Sequence, residues 1–473
     1  MLKKFLLTSF FFFILSIYAE DDFWPMFRRA ENCDGSLYWD NPNKIAINEW
    51  HLKREKIKNR KYSRDIPVWT SPALSIVNGI PMAYAGGCDQ TLYALNLAEK
   101  KIAWTKITNG NIIDSPIVAN FAGQQLVFFS SSDRTIYCCE AFSGRVFWTK
   151  ELIQPSNTIS GVEISSPSFH QDKIYLNCFA YDKSLPRNEQ KAELFILSAR
   201  DGTILSKTTV ANGPVGPPLI FKVDKNVFLA LCAKKGLLLC FDVTTIPIKK
   251  IWSYQMPNEV IAGPAFLSFE KQNSIFIGSK YGSLVSIDAK SGNVNWKFMT
   301  GNWIDNTACA GIIDNLPIVF TGSHDYNLYA INALTGEILW KRALGGEIFS
   351  APVLFKIKGE NFIVAASLNN HIYILNASNG NIINSFFTGN PIWDKINKGD
   401  TLWGSPSVLC AGDETAIIFG ATSGNFYVFP THKDCTMSSR AKAGESIWLS
   451  LLISGILIFF LIIFVLRINK DFS

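Results

Sequence analysis

One eleven-residue phrase recurs along this chain at a nearly constant interval, and this periodicity restricts the fold more than any other feature. The clearest copy, AINALTGEILW, runs from Ala330 to Trp340, and related copies end at Trp104, Trp148 and Trp296. The intervals from Trp104 to Trp148 and from Trp296 to Trp340 are both 44 residues. A fixed period of this length indicates that one small structural unit is repeated many times.

Each unit contains segments typical of four short antiparallel strands. In residues 318–341, a β-branched run, a turn-rich segment, a second strand, the turn Thr335-Gly336 and a third strand follow one another. A further strand precedes these three and begins with a small residue and a proline, which suits the first position of a strand. The eight starts are Ser71-Pro72, Ser115-Pro116, Ser166-Pro167, Pro217-Pro218, Gly263-Pro264, Ala351-Pro352, Ser405-Pro406 and, without the proline, Thr307-Ala308. We therefore predict an all-β fold, an eight-bladed β-propeller of four-stranded antiparallel blades over residues 66–430.

The tryptophans that end the phrases are predicted to be structural. A large ring on the outer strand of one blade can wedge against the next blade, and loss of such a buried ring costs about 3–5 kcal/mol. The glycine four residues earlier permits the positive φ of the preceding turn. A docking role is assigned to Trp104, Trp148, Trp252, Trp296 and Trp340. Trp252 follows a stretched copy of the phrase and is expected to pack less well.

The phrase A-x-D/N-x-x-T-G-x-x-x-W resembles the tryptophan-docking motif of the PQQ-like, quinoprotein dehydrogenase-type propellers. Ala330 to Trp340 fits it at every fixed position, and residues 23–28, FWPMFR, are similar to the opening of such propellers. For the enzymes of the family, the resemblance implies PQQ, a calcium ion held by oxygen ligands, a catalytic base and a stacking tryptophan. For its BamB-like members, it implies a propeller without a cofactor that binds other proteins.

The rim of the central channel is the place to look for a ligand. Two residues before the proline position lie the candidate cofactor-binding residues Thr70, Asp114, Ser165, Asn306 and Ser350. Asp114 and Asn306, with Asp305 and Glu163, are also the candidate oxygen ligands for a metal, but no spacing pattern brings them together. The five candidate cofactor-binding residues are mildly polar, and their side chains do not form a recognisable binding motif.

No catalytic constellation is recognisable in the sequence. His324 and His371 fall at hairpin turns and are expected to be exposed. There is no nucleophile–base pair, phosphate loop or metal-ligand spacing. We therefore predict that the protein is not an enzyme, has no catalytic or metal-binding residues and holds no cofactor, with PQQ and calcium as unsupported alternatives.

The two ends of the chain predict export and a membrane tether. Residues 1–19 have a basic start and an apolar run, typical of a signal peptide, with an uncleaved anchor as the alternative. Residues 447–466 form an uncharged stretch long enough to cross a bilayer of about 30 Å. With a juxtamembrane linker at 431–446, this single-pass helix would hold the propeller on the periplasmic side and the tail, 467–473, in the cytoplasm.

Two segments are candidates for interaction. The net charge of +6 is concentrated in the basic residues Lys53, Arg54, Lys56, Lys58, Arg60, Lys61 and Arg64. A solvated linker is the simplest interpretation, and a docking arm for anionic lipid or an acidic partner is the alternative. Trp393 and Trp403 are candidates either for an aromatic anchor or for core packing. Nucleic-acid binding is not expected.

The N-terminal extension is expected to complete the last blade. Blade eight shows three strands, so the extension, residues 20–65, is expected to supply the outer strand from between about Phe23 and Ile47. Several of the ten cysteines occupy repeat positions of small core residues, which argues against a disulfide framework. A bridge between Cys232 and Cys240 and a cofactor-side pair at Cys138-Cys139 are the alternatives.

The leading functional hypothesis is a non-catalytic, membrane-anchored propeller that acts as a protein-interaction scaffold in the exported space. By resemblance, it would take part in envelope protein assembly, with a protein partner that the sequence does not name. The alternatives are a PQQ-dependent oxidoreductase and a sensor that binds a small molecule in the propeller funnel.

Overall fold

The computed structural model describes residues 36–39, 50–52, 68, 70–186, 189–213, 215–388, 404–411, 414–420 and 426–430. The signal-peptide segment, the basic residues from Lys53 to Arg64, Trp393, Trp403, the linker and the predicted membrane helix at 447–466 lie outside these residues. Within the described ranges, no helix has the length and apolar character needed to span a membrane.

The described residues form 34 β-strands arranged as eight sheets, which confirms the predicted eight-bladed propeller. The first two described strands, β1 (Ser36–Trp39) and β2 (Trp50–Leu52), both join blade 8. Blade 1 contains β3 (Ala73–Val77), β4 (Ile80–Gly86), β5 (Thr91–Asn96) and β6 (Lys101–Ile107). Blade 2 contains β7 (Ile117–Phe121), β8 (Gln124–Ser131), β9 (Thr135–Glu140) and β10 (Val146–Glu151). Blade 3 contains β11 (Ile159–Ile164), β12 (Ser168–His170), β13 (Lys173–Asp182), β14 (Lys191–Ser198) and β15 (Ile204–Asn212).

The remaining blades repeat this order. Blade 4 contains β16 (Leu219–Val223), β17 (Asn226–Cys232), β18 (Leu237–Asp242) and β19 (Lys249–Gln255). Blade 5 contains β20 (Ala265–Phe269), β21 (Gln272–Gly278), β22 (Ser283–Asp288) and β23 (Val294–Met299). Blade 6 contains β24 (Cys309–Ile313), β25 (Leu316–Gly322), β26 (Asn327–Asn332) and β27 (Ile338–Ala343). Blade 7 contains β28 (Val353–Ile357), β29 (Glu360–Ser367), β30 (His371–Asn376) and β31 (Ile382–Phe387), and blade 8 contains β32 (Ser407–Ala411), β33 (Glu414–Gly420) and β34 (Phe426–Pro430).

The first strands of the blades line the central channel. Each contacts the first strand of the next blade, in an unbroken ring that runs from β3 through β32 and back to β3. Middle strands such as β5 are buried along their whole length, whereas the outer strand β6 alternates between half-buried and exposed residues. This difference arises because the blades stack face to face, so that a middle strand contacts two neighbouring sheets.

Blade 8 is completed by N-terminal residues at both of its edges. β2 pairs antiparallel with β34, with Trp50 opposite Val428, and so occupies the outer position. β1 pairs parallel with β32 and also contacts β3 and β28, which places it on the channel side. The range expected for the outer strand, Phe23 to Ile47, thus contains the inner-edge strand β1, and the outer strand lies just after that range.

The docking tryptophans join each blade to the next in a uniform way. Their indole Nε1–H groups donate to alanine carbonyls of the following blade at 2.9–3.0 Å, and the pairs are Trp104–Ala141, Trp148–Ala199, Trp252–Ala289, Trp296–Ala333 and Trp340–Ala377. Each ring also lies against a positive-φ glycine of that blade, as Trp296 does against Gly336. Trp252 is 8% exposed and makes the same contacts, so the expectation that it packs less well was wrong. The extra residues of its phrase are accommodated by exposed positions at 244–247.

The described cysteines of blades 2 to 4 are buried thiols. Cys232 lies opposite Leu238, and Cys240 lies opposite Ala230, so the two sulfurs do not face each other and the alternative of a bridge between them is wrong. Cys138 and Cys139 are adjacent on β9 and are both fully buried without a disulfide. These thiols act as small core residues.

Candidate functional site

Most of the rim residues predicted to face a ligand instead anchor the start of their own blade. Thr70 Oγ1 accepts a hydrogen bond from Gly86 N–H at 2.8 Å and donates to Gly86 O at 3.1 Å. Ser350 Oγ bonds in the same way to the N–H and O of Ala366. Ser165 Oγ accepts from Asn177 N–H at 3.0 Å. Each hydroxyl group therefore holds the residues that precede the first strand of its blade against the next long strand of the same blade.

The Asn306 amide is also engaged by the backbone. Its Nδ2 donates to Gly322 O at 2.9 Å and to Ile348 O, at the entry of blade 7, at 3.1 Å. Its Oδ1 accepts from Gly322 N–H and from Thr321 Oγ1, both at 3.3 Å. Since both ends of the amide have protein partners, Asn306 links blades 6 and 7 and is a poor candidate for a metal ligand.

A chain of serine hydroxyls joins neighbouring blades, a role that the sequence analysis did not assign. Ser405 Oγ accepts from Ala351 N–H, Ser71 Oγ from Ser405 N–H, Ser115 Oγ from Ser71 N–H and Ser166 Oγ from Ser115 N–H, at 2.8–3.1 Å. The bonds run from blade 7 through blades 8, 1 and 2 to blade 3. The recurrence of serine, rather than any small residue, before proline was the signal for this role.

Asp114 departs from the pattern of the rim. Its Oδ1 accepts from Ser166 N–H at 3.1 Å and from Ser166 Oγ at 3.3 Å, and its Oδ2 receives no hydrogen bond from the described residues. Burial raises the pKa of Asp114 to about 7, although the bonds from Ser166 oppose this shift, and the nearby Glu163 charge adds to it. A carboxyl group with such a pKa marks this position as a candidate site.

Asp114 and Glu163 line one recess, which we call the acidic recess, between the entries of blades 2, 3 and 4. The other lining residues are Ile113, Ile164, Ser165, Phe179, Val215, Gly216 and Pro217. The recess has room for about one water-sized group. Tyr181 Oη donates to Glu163 Oε1 at 2.5 Å and fixes this carboxylate. No spacing pattern in the sequence predicts that Asp114 and Glu163 lie close together, but both line this recess in the structure.

The additional strand of blade 3 is the physical reason for this juxtaposition. β13 is ten residues long, and its second half pairs with β11, with Glu163 opposite Phe179. The first half of β13 pairs with β12, the usual entry strand. This extension places Glu163, Phe179 and Tyr181 at the rim, next to Asp114 of blade 2.

A second buried polar cluster lies at blades 5 to 7. His324 Nε2 is 3.3 Å from Asp305 Oδ2, and both side chains are 6% exposed. The prediction that His324 is exposed was therefore wrong, because Trp303 and Phe349 cover its ring, at centroid distances of 5.6 and 4.0 Å. Burial lowers the pKa of His324 to about 4 and raises that of Asp305 to about 6.

Comparison with known protein families decides the kind of propeller. A family model described as "Outer membrane protein assembly factor BamB" matches residues 34–298 and 313–448, most of the chain. The chain belongs to this BamB-like family of PQQ-like propellers. No curated protein matches it in sequence.

Solved structures share the fold at low sequence identity. BamB from Moraxella catarrhalis is 15% identical, with a TM-score of 0.52, over 77% of this chain and 95% of that chain. Sqt1 from Saccharomyces cerevisiae is 12% identical, with a TM-score of 0.60, over 78% and 96%. Quinohemoprotein alcohol dehydrogenase from Comamonas testosteroni is 10% identical, with a TM-score of 0.59, over 86% and 80%. The BamB-like chain thus resembles both a BamB and an enzyme in fold.

The acidic recess does not provide the ligand set or the space of a PQQ site with calcium. Ca²⁺ takes six to eight oxygen ligands, whereas the acidic recess offers two carboxylates and the Asn306 amide is already engaged. Within the described ranges, no three His, Cys, Asp or Glu residues are grouped so that they could hold a metal ion. The recess has room for about one water-sized group, far less than a tricyclic quinone needs.

Proposed function

We propose that this BamB-like propeller is a non-catalytic scaffold that binds other proteins through the face on which its blades begin. The family description, an outer membrane protein assembly factor, supports a role in envelope protein assembly. The predicted signal peptide at 1–19 and the uncharged stretch at 447–466 support a location on the periplasmic side of a membrane, with the tail in the cytoplasm.

The observation that carries this proposal is an exposed aromatic surface on blades 5 and 6. Tyr281, Trp303 and Tyr326 are 67%, 39% and 51% exposed, and all three lie in connections at the face where the first strands start. Lys280 Nζ lies 5.0 Å from the Trp303 ring centroid and forms an ion pair with Glu259 at 3.3 Å. Tyrosine and tryptophan are enriched among residues that dominate binding between proteins, so exposed aromatic side chains beside charged groups suit a docking surface.

Site-specific photocrosslinking tests this role. A photoreactive phenylalanine analogue at Tyr281 or Tyr326, in full-length protein in its own membranes, should yield one reproducible adduct with a protein partner. The matched control position is Phe142, which is 47% exposed in a turn on the opposite face. Trp303→Ala should reduce the adduct, and thermal unfolding of the variant verifies that it is folded. Equal adducts from both faces, or none from Tyr281 and Tyr326, would contradict the proposal.

The same purified protein distinguishes the scaffold from an oxidoreductase. PQQ and Ca²⁺ are added together, and quinone absorbance and dye reduction are followed with a range of alcohols. We expect neither saturable quinone binding nor turnover, because the described rim lacks the ligand set. Turnover that depends on both additions would overturn the non-catalytic role.

A further inference from the structure

We propose that the part of the aromatic surface around Tyr326 receives an arginine side chain of the protein partner, with the guanidinium group on the Tyr326 ring and paired with the Glu347 carboxylate. The inference rests on the proposed scaffold role and specifies the chemistry of one contact in it. Three observations carry it: the placement of these two residues, the negative charge around them and the backbone conformation of Tyr326.

Backbone hydrogen bonds place the turn that carries Tyr326 between Trp303 and Glu347. On one side, this turn, residues 323–326, donates a backbone bond to Trp303 O at 2.9 Å. On the other side, residues 344–348, which include Glu347, donate two backbone bonds to the same turn, at 2.8 and 3.3 Å. The tyrosine and the glutamate therefore belong to neighbouring, directly bonded segments of one face.

Both side chains are available to a partner. Tyr326 is about half exposed, and among the described residues it makes no ring or cation contact. Glu347 is partly exposed and, within the described ranges, forms neither an ion pair nor a side-chain hydrogen bond. On the other side of Trp303, by contrast, Lys280 lies over the indole ring and already pairs with Glu259. A new contact is therefore favoured on the Tyr326 side.

The charge on the Tyr326 side is negative and suits a cation. Asp325 precedes Tyr326 in the turn and is fixed by a bond from Gly301 N–H at 2.8 Å, and the buried Asp305 lies against His324 of the same turn. Within the described residues, neither of these aspartates forms an ion pair with a lysine or arginine, and the same holds for Glu347. Burial raises the pKa of Glu347, as expected for a carboxyl group that loses water without gaining a cation.

The backbone conformation of Tyr326 indicates that its ring serves contact rather than the turn. Tyr326 has a φ of 71°, in the left-handed region that bulky residues rarely adopt. The same position, directly before the third strand of the blade, is held in blades 4, 5 and 7 by Gly236, Gly282 and Asn370, with φ between 64° and 84°. Glycine and asparagine adopt this conformation readily. An exposed tyrosine there destabilises the turn, and a binding role accounts for its presence.

A guanidinium group suits this position better than an ammonium group. It is planar, so it can stack on the tyrosine ring and at the same time direct paired N–H donors towards a carboxylate. An exposed ion pair alone contributes little to affinity, because water screens it. The aromatic contact therefore has to add to the charge contact, and only the arginine side chain makes both well.

Saturation-transfer NMR with small probes on the purified full-length protein tests the contact. Nα-acetyl-arginine methylamide should bind saturably, and its uncharged counterpart of similar shape, Nα-acetyl-citrulline methylamide, should bind more weakly. Glu347→Gln and Tyr326→Asn should each raise the dissociation constant of the arginine probe about two- to fivefold, the range for exposed contacts of this kind. Glu360→Gln, on an exposed hairpin, should leave it unchanged.

Two further measurements separate a binding role from a structural one. Tyr326→Asn should leave the Tm unchanged or raise it, because asparagine tolerates the positive φ. In membranes, Glu347→Arg should lower the yield of the adduct from position 281 at least about tenfold, because it opposes the partner's arginine with a like charge.

Several outcomes would overturn the inference, and thermal unfolding of each variant verifies that it is folded. Equal binding of the citrulline probe, or a dissociation constant unaffected by both variants, would each be decisive. A clear fall in the Tm of Tyr326→Asn would assign the ring to the turn instead. An adduct from position 281 that Glu347→Arg does not reduce would refute the arginine contact and leave the scaffold role standing. Preference for the arginine probe without any crosslinked partner would refute the scaffold role and leave the arginine site standing.

Discussion

Asp114 places a carboxyl group where other blades place hydroxyl groups, and its protonation should therefore be linked to stability. Burial raises its pKa to about 7, whereas an aspartate in an unfolded chain has a pKa near 4. At a pH between these two values, the folded protein therefore binds a proton that the unfolded chain does not. The stabilisation that this proton contributes is present at low pH and is lost as the pH rises through about 7. We expect Asp114→Asn to raise the Tm at pH 8 and to change it little at pH 5. Differential scanning calorimetry, with Glu360→Gln as the control, measures this, and an equal shift at both pH values would contradict it.

The titrations of Asp305 and His324 should change the pH dependence of stability visibly only when one member of the pair is substituted. At pH 5 the unfolded chain carries an ionised aspartate and a protonated histidine, whereas burial favours the neutral form of both in the folded protein. The proton gained by Asp305 offsets the proton lost by His324, so the pair contributes little net pH dependence between about 4 and 6. Lys280 and Glu347 also act on Asp305, and Asp325 and Lys280 act on His324.

Single substitutions separate the two titrations. Relative to wild type, Asp305→Asn should lose stability as the pH falls from about 6.5 to 4, because the histidine proton is bound only in the unfolded state. His324→Gln should gain stability as the pH falls from about 6 to 4, because the aspartate proton is bound only in the folded state. Urea unfolding at pH 4.5 and 6.5 gives both differences, and the same sign for the two variants would contradict the assignment.

Most of these contacts between residues of different blades could not be predicted from the sequence. Asp114 and Glu163 could be named as candidates from their positions before a strand, but their proximity depends on the length of β13 and its pairing with β11. The burial of His324 depends on aromatic side chains from two neighbouring blades. No local pattern encodes contacts that arise only when different blades meet.

At the scale of the element, the outer strand of each blade was the most predictable part of the molecule. The docking motif is local, since an eleven-residue phrase contains both the turn glycine and the tryptophan. The contacts themselves cross between blades, however, because the glycine of one blade receives the tryptophan of the preceding one. Positive φ and close approach of a ring therefore both require glycine at Gly336, where an added Cβ would lie 2.7 Å from the Trp296 ring.

Trp296 offers a direct test of the energy that one docking contact supplies. The ring is nearly fully buried, and its Nε1–H donates to Ala333 O at 2.9 Å. We expect Trp296→Ala to lower the free energy of unfolding by about 3–5 kcal/mol, the usual range for removal of a buried tryptophan. Tyr281→Ala, at a position that is 67% exposed, should cost less than about 1 kcal/mol. Denaturant unfolding measures both values, and similar losses would show that burial between the blades is not the source of the stability.

At the scale of the whole molecule, the repeat predicts the number of blades but not how the ring closes. The period is encoded in every unit, whereas β1 and β2 carry no copy of the motif and pair with strands at the other end of the chain. The N-terminal residues hold blade 8 from both edges, which removes an unpaired outer edge and joins the beginning of the chain to its last blade. The sequence therefore predicts that the N-terminal extension completes blade 8, but it does not predict which of its residues pair with β32 and β34.

The parallel pairing of β1 with β32 can be tested with a single cysteine. The register places Tyr38 opposite Cys410, and neighbouring strands lie about 4.8 Å apart, within the Cα separation that a disulfide allows. We expect Tyr38→Cys to form an intramolecular disulfide on mild oxidation, and to raise the Tm relative to the reduced variant because the bond closes a loop that contains most of the unfolded chain. The control is Leu37→Cys, which lies opposite Leu409, and Cys410→Ser should abolish the bond formed by Tyr38→Cys. Non-reducing electrophoresis and mass spectrometry identify the linked peptides, and equal bridging from positions 37 and 38 would show that β1 does not hold this register along the channel.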